Sequence, residues 1–97
     1  MAELSWSERA IADLEEIYDY IAADSSMYAR FQTENITSTA ERLHYFPESG
    51  RHLPEFPYLP HREVISGNYR VIYRYDAAAD EIKIVTVVHG RRLIDKV

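Results

Sequence analysis

The sequence predicts an α+β fold: a short N-terminal strand, a helical hairpin, then a three-stranded antiparallel sheet. Apolar residues between Ala10 and Leu43 recur at spacings of three and four, the pattern of a helix with one buried stripe. From Arg62 onward the period shortens to two and Val, Ile and Tyr dominate, as in strands. All four prolines fall between these two regions, within residues 46–61, where no regular element is expected to persist.

Leu4, Ser5 and Trp6 form a short apolar-flanked segment, expected as a strand beside the last one. Ser7 follows in the position of an N-cap, its hydroxyl placed to accept from the free N–H groups of a first turn. Helix one is therefore expected to start near Ser7 and to end near Ala23. Its buried stripe is Ala10, Leu14, Ile17, Tyr18 and Ile21, which leaves Asp13, Glu15, Glu16 and Asp19 largely outside. Asp24, Ser25 and Ser26 break the pattern and cap a second helix with the stripe Ala29, Ile36, Ala40 and Leu43. Residues 46–61 then make a long, ordered loop.

Arg62–Ser66, residues 69–75 and residues 82–89 read as an antiparallel meander, separated by Gly67-Asn68 and by residues 76–80. Alternation in the middle strand places Tyr69, Val71, Tyr73 and Tyr75 on one side, with Arg70, Ile72 and Arg74 on the other. The last strand is nearly continuous in apolar residues, as expected of one covered on both faces. The two helices should cover one face of this sheet. Trp6, Phe31, Tyr45 and Phe46 are expected as core or loop anchors rather than base-stacking platforms.

Ninety-seven residues fit one domain, spanning 1–97, and a chain of this size buries about 60 to 65% of its unfolded surface, enough for a core without staples. The absence of cysteine excludes disulfides and thiolate metal sites. No basic n-region, apolar h-region or membrane-length apolar run is present, so a cytoplasmic protein with no membrane role is expected. The net charge of −5 argues against indiscriminate nucleic-acid binding. That average hides an asymmetry: residues 1–48 carry three arginines against ten acids, whereas residues 49–97 carry eight basic residues against six acids. The second half thus offers a modest basic patch on an acidic molecule.

No phosphate-binding glycine loop, His-Glu-x-x-His helix or Gly-x-Ser-x-Gly elbow is present. His44, His52, His61 and His89 share no turn or strand face, so neither metal nor other cofactor is expected. What remains is a set of cations on neighbouring strands: Arg62, Arg70, Arg74, His89, Arg91 and Arg92. Cleavage of RNA by its own 2′-hydroxyl needs a base, an acid of near-neutral pKa and positive charge at the phosphate. His89 is the candidate acid, with Arg70 and Arg91 for the phosphate, while Glu48, Glu55 and Glu63 compete as base with nothing in their spacing to select one. The alternative assigns Arg62, Arg70 and Arg74 to ion pairs with acids of helix one or the loop and His89 to a hydrogen bond at a strand end, because structural networks imitate active sites.

In order along the chain come Trp6, Ala10, Asp13-Leu14, Ile17 and Tyr20-Ile21, then Leu43, Phe46-Pro47 and Gly50-Arg51. Arg62, Tyr69-Arg70-Val71-Ile72-Tyr73 and the ending His89-Gly90-Arg91-Arg92 complete the series. Together they resemble the ParE/RelE superfamily of toxins from bacterial toxin–antitoxin pairs, over nearly the whole chain. The resemblance implies the fold described above and a cognate antitoxin that wraps the domain and neutralises it. For the target it implies two alternatives: DNA gyrase, poisoned without catalysis by ParE-like members, or messenger RNA in the ribosomal A site, cut by RelE-like members. An acidic chain with no tyrosine beyond Tyr75 leans to the ParE side, with Arg62, Arg74 and Arg92 as target-binding cations. In the ribonuclease alternative Arg70, His89 and Arg91 are catalytic. A non-toxic binding module is the third alternative.

Overall fold

The computed structural model describes residues 1–97 and bears out the α+β order, with more strands than expected. β1 (Glu3–Trp6) leads into α1 (Glu8–Ala22) and α2 (Ser26–Glu41), which a single 3-10 turn (Arg42–His44) extends. β2 (Arg51–His52), β3 (Arg62–Ser66), β4 (Tyr69–Asp76) and β5 (Glu81–His89) follow. The sheet has five strands in the order β1-β5-β4-β3-β2, antiparallel except that β1 lies parallel beside β5. Both helices start as expected. Ser7 Oγ accepts from the N–H of Ala10, and Ser25 Oγ from that of Tyr28.

The expectation that residues 46–61 hold no regular element fails at β2, which pairs Arg51 with Glu63 and His52 with Arg62. Proline removes ladder donors, but β2 lies in the proline-free gap between Pro47 and Pro54 and on the sheet's edge, where half its donors need no partner. Gly50 makes the approach feasible. Its N–H donates to Tyr73 Oη (2.9 Å), and a Cβ there would lie 2.6 Å from the Glu63 carbonyl. Tyr73 Oη in turn donates to the Pro47 carbonyl (2.8 Å), so a fully buried tyrosine staples the loop to the sheet.

The sheet is covered on both faces, unequally. The helices bury Ala10, Ile36, Ala40 and Leu43 against Val71, Tyr73, Ile82, Ile84 and Val87 in the larger core. On the far face Leu53 from the long loop and Ile94 from the segment after β5 close over Ile72 and Val88. Alternation in β4 holds as expected, with Val71 and Tyr73 toward the helices and Ile72 away from them. The β3–β4 hairpin turns through two residues, Gly67 at φ +58° and Asn68, the positive-φ-first pattern of a type II′ turn. Phe31, Tyr45 and Phe46 are exposed, against the expectation that they anchor core or loop, whereas Trp6 is half-buried against the main core.

Asp13 also departs from its expected outward place, because β5 carries a bulge. Ile72 pairs with Thr86 but Tyr73 pairs with Ile84, so Val85 is an extra residue without a ladder partner. α1 supplies the missing partners. Ser7 Oγ donates to the Val85 carbonyl (2.8 Å) and Ser7 N to the Ile84 carbonyl (2.9 Å). Asp13 Oδ2 accepts from Val87 N (3.0 Å) and from the hydroxyl of fully buried Thr86. Removing that carboxylate strands two donors in the interior. Asp13→Ala is expected to lower stability by about 2 to 3 kcal/mol, read as a fall in the urea midpoint at constant m-value. An unchanged midpoint would show that the bulge needs no support from α1.

Candidate functional site

The cations that the sequence brings forward separate into three places. Arg70 is on the far face of β4 and is only 4% exposed. β3 presents Glu63 on the same face, opposite Ile72, and Glu63 Oε1 lies 2.6 Å from the Arg70 guanidinium. From the long loop, Glu55 grips the same group in a fork, Nη1 to Oε2 and Nη2 to Oε1, each at 2.7 Å. Nη1 also donates to the carbonyl of Arg92 (2.9 Å), and Glu55 Oε2 accepts from the N–H of Ile94 (3.2 Å). Arg51 closes the row, Nε 2.6 Å from Glu63 Oε2.

A charge in such a place is tolerated only when paired and hydrogen-bonded, and the ionisation of the pair reflects this. The hydrogen bond from Arg70 holds the Glu55 carboxyl down at about 2, with the Ile94 N–H adding to the effect against burial. The same bond raises the Arg70 guanidinium above its ordinary value. Two of the three candidate bases, Glu55 and Glu63, are thus occupied as partners of Arg70.

His89 ends β5 on the other face, exposed, its ring edge-on to Tyr69 at 5.7 Å. Its Nδ1 accepts from Arg91 N (3.2 Å), and its carbonyl from Arg92 N (2.9 Å), so residues 89–92 form a tight turn. The side chains of Arg91 and Arg92 are exposed. Asp13, Ile17, Tyr20, Tyr69, His89 and Arg92 belong to the lining of an open cleft of about 350 Å³ between α1 and the end of β5.

The remaining cations are elsewhere. Arg62 donates to the carbonyls of Gly50 (2.8 Å) and Glu48 (3.3 Å) and so binds the loop. Arg74 is exposed near the opposite end of β4, beside Lys83, roughly 13 Å along the strand from Arg70 at about 3.3 Å per residue. The structure therefore gathers Arg70, His89, Arg91 and Arg92 at one end of the sheet, on opposite faces, and leaves Arg62 and Arg74 apart. No group of three His, Asp or Glu side chains is close enough to hold a metal ion. No helix is long and apolar enough to cross a membrane. Sequence reading weighed an ion pair between Arg70 and an acid of the loop, which Glu55 supplies, but did not find Glu63 as a second partner and gave no role to Arg51 or exposed Leu93.

A helical hairpin on one face of a mixed five-stranded sheet, with arginines at the end of its last strand, is the architecture of a ParE/RelE-type toxin. The chain belongs to the family of ParE toxins of type II toxin–antitoxin systems, whose sequence model matches residues 4–94. Toxin RelE2 of Caulobacter vibrioides is 34% identical over 93 residues, which cover 96% of this chain and all of that protein. Among solved structures, the chromosomal ParDE toxin–antitoxin system from P. aeruginosa superposes with a TM-score of 0.74 at 24% identity, over 92% of this chain and 96% of that one. The RelBE2 complex from Mycobacterium tuberculosis matches with a TM-score of 0.68 at 20% identity, over 91% and 96% of the two chains. Both structural likenesses are likenesses of fold.

Two outcomes follow from the ion pairs. Arg70→Ala strands the Glu55 carboxylate and leaves Glu63 with Arg51 alone, and is expected to lower stability by about 3 to 5 kcal/mol, whereas Arg74→Ala, on the exposed surface, changes it by less than about 0.5 kcal/mol. Urea unfolding of both variants measures the difference, and equal effects would overturn the assignment. The pH dependence has a definite sign. Since Glu55 titrates at about 2 in the folded chain rather than near 4.5, its contribution is complete above about pH 4.5 and is lost as pH falls toward about 2. Glu55→Gln should flatten the stability profile in that window, and a profile as steep as the wild type's would count against the pair.

Proposed function

We propose that this toxin arrests growth without cutting RNA, by binding DNA gyrase with the arginine-bearing end that follows β5, and that a cognate antitoxin neutralises it. The observation that carries this is the condition of Arg70. Its guanidinium is buried and its N–H groups are bound to Glu55, Glu63 and the Arg92 carbonyl, leaving little to offer a phosphate. Two of the three candidate bases, Glu55 and Glu63, are engaged with it, and a carboxylate held at about 2, as in Glu55, is a weak proton acceptor. Exposed Arg91 and Arg92 are suited to binding.

An antitoxin partner is supported by the neighbours of this fold, which were solved as toxin–antitoxin complexes of RelBE2 from M. tuberculosis and of RelBE from E. coli. The cleft between α1 and β5 combines Ile17, Tyr20, Tyr69 and Val87 with Glu16 on the α1 side and with His89 and Arg92 at the end of β5, Asp13 being engaged with Thr86 and Val87. Such a groove suits an apolar segment.

The second reading, a ribosome-dependent messenger-RNA endonuclease, is favoured by the exposed turn that holds His89, Arg91 and Arg92 together. Expression of the chain alone separates the two. On the gyrase reading the DNA-damage response rises, transcripts stay intact, purified gyrase loses supercoiling activity, and His89→Ala still arrests growth. Codon-phased transcript cleavage that falls about 100-fold or more in His89→Ala would establish the nuclease instead. Normal growth would leave a non-toxic binding module.

A further inference from the structure

The segment after β5 alternates between anchored and free positions within three residues. The Arg92 carbonyl is fixed by Arg70 Nη1 (2.9 Å), and the Ile94 N–H is fixed by Glu55 Oε2 (3.2 Å). Ile94 turns its side chain into the far core with Leu53, Ile72 and Val88. Leu93, between the two tethers, is therefore directed outward and is 82% exposed; of the two residues before it, Arg91 is exposed and Arg92 lines the α1–β5 cleft. Leu93 meets the rim of a shallow depression formed with Arg51, Pro54, Glu55, Arg70 and Gly90.

We propose that Glu55 and Arg70 act as a clamp that presents residues 91–93 as a preformed hook, with Leu93 as its apolar anchor and Arg91 as its cationic flank. The partner that this hook fits is a protein surface with an apolar depression bordered by carboxylates. An exposed leucine gains most from entering an apolar pocket, and a flanking guanidinium favours acidic side chains beside it. A hook already held in its bound shape loses little conformational freedom on docking. The tethers come from outside the hook, so Glu55 is a positioning residue that need not touch the partner. This deepens the proposed target-binding mode and rests on it, with the hook as the contact element and the toxin's target as the occupant.

Three measurements test the hook separately from the identity of the target. In the isolated protein, Glu55→Gln should speed amide hydrogen exchange at Ile94 by about tenfold or more relative to core amides of β4 and β5. A purely global loss of stability would accelerate all of them alike and overturn the clamp. In cells, Leu93→Asp should abolish growth arrest while its melting temperature and its neutralising antitoxin complex stay unchanged. Retained arrest overturns the hook as contact element, and loss of antitoxin binding in this variant assigns the hook to the antitoxin and overturns it as well. Purified gyrase then supplies the separate arm. If Leu93→Asp loses arrest but wild-type protein leaves supercoiling untouched, the hook stands and the gyrase assignment falls. A wild-type chain that causes no arrest overturns both.

Discussion

The constraint on which the far side of this molecule depends is a guanidinium that cannot be left alone. Arg70 lies near one end of the sheet's non-helical face, on an interior strand, and its environment is acceptable only when carboxylates reach it. One comes from β3 and the other from the loop that precedes it. The carbonyl of Arg92 adds a third element. Three stretches of chain distant in sequence are thus brought to one side chain. Leu53, Ile72, Val88 and Ile94 pack beside it and lower the local dielectric in which the pairs act. Replacing such a network by apolar side chains often leaves stability unchanged or higher, so its distinctive contribution is position. Apolar burial alone is non-directional, whereas a forked ion pair fixes where the loop and the segment after β5 lie.

The helical face is fixed by a different device. Its larger core supplies the area, but α1 is aligned on β5 by polar contacts at the bulge, where an extra residue frees backbone groups that Ser7 and Asp13 bind. Ser7 acts twice, accepting from the first turn of its own helix and donating to the bulged strand. A slip of α1 by one residue would forfeit these bonds together. Each face of the sheet therefore carries one directional lock amid non-directional packing, and the chain end that bears the exposed arginines is attached to the far-face lock.

Much of this was legible in the sequence. Periodicity located both helices and the three long strands, and the Ser7 cap and a second cap within residues 24–26 were readable because capping is local chemistry. Even the Glu63–Arg70 pair was within reach. A two-residue turn at Gly67-Asn68 fixes the register, which sets Ile72 opposite Glu63 and hence Glu63 on the face of Arg70. Glu55 was not, since a loop rich in proline has no period from which to place a side chain. Asp13 was misplaced for a related reason. A bulge is a tertiary event, and helical periodicity cannot register that the partner strand exposes an unpaired N–H. β2 escaped notice because two residues carry no repeat at all.

The ion pairs also decide where the charge of the second half is felt. Arg51 with Glu63 and Arg70 with Glu55 neutralise one another and contribute little field beyond the sheet. At the β4–β5 turn Asp76, Asp80 and Glu81 face Arg74 and Lys83, so the cations there are balanced or outnumbered. The segment after β5 carries Arg91, Arg92 and Lys96 against Asp95 alone. At physiological salt charges are felt over about 8 Å, and on the helical side Asp13 and Glu16, which line the cleft with His89 and Arg92, offset part of that surplus. The basic patch suggested by composition is thus smaller than the count of arginines implies, and it is concentrated where the chain is tethered by Arg70 and Glu55. An arginine that is spent on holding the fold cannot also attract a partner. Arg70 is thus committed to structure, while Arg91 and Arg92, which follow β5 at the same end of the sheet, keep their side chains exposed.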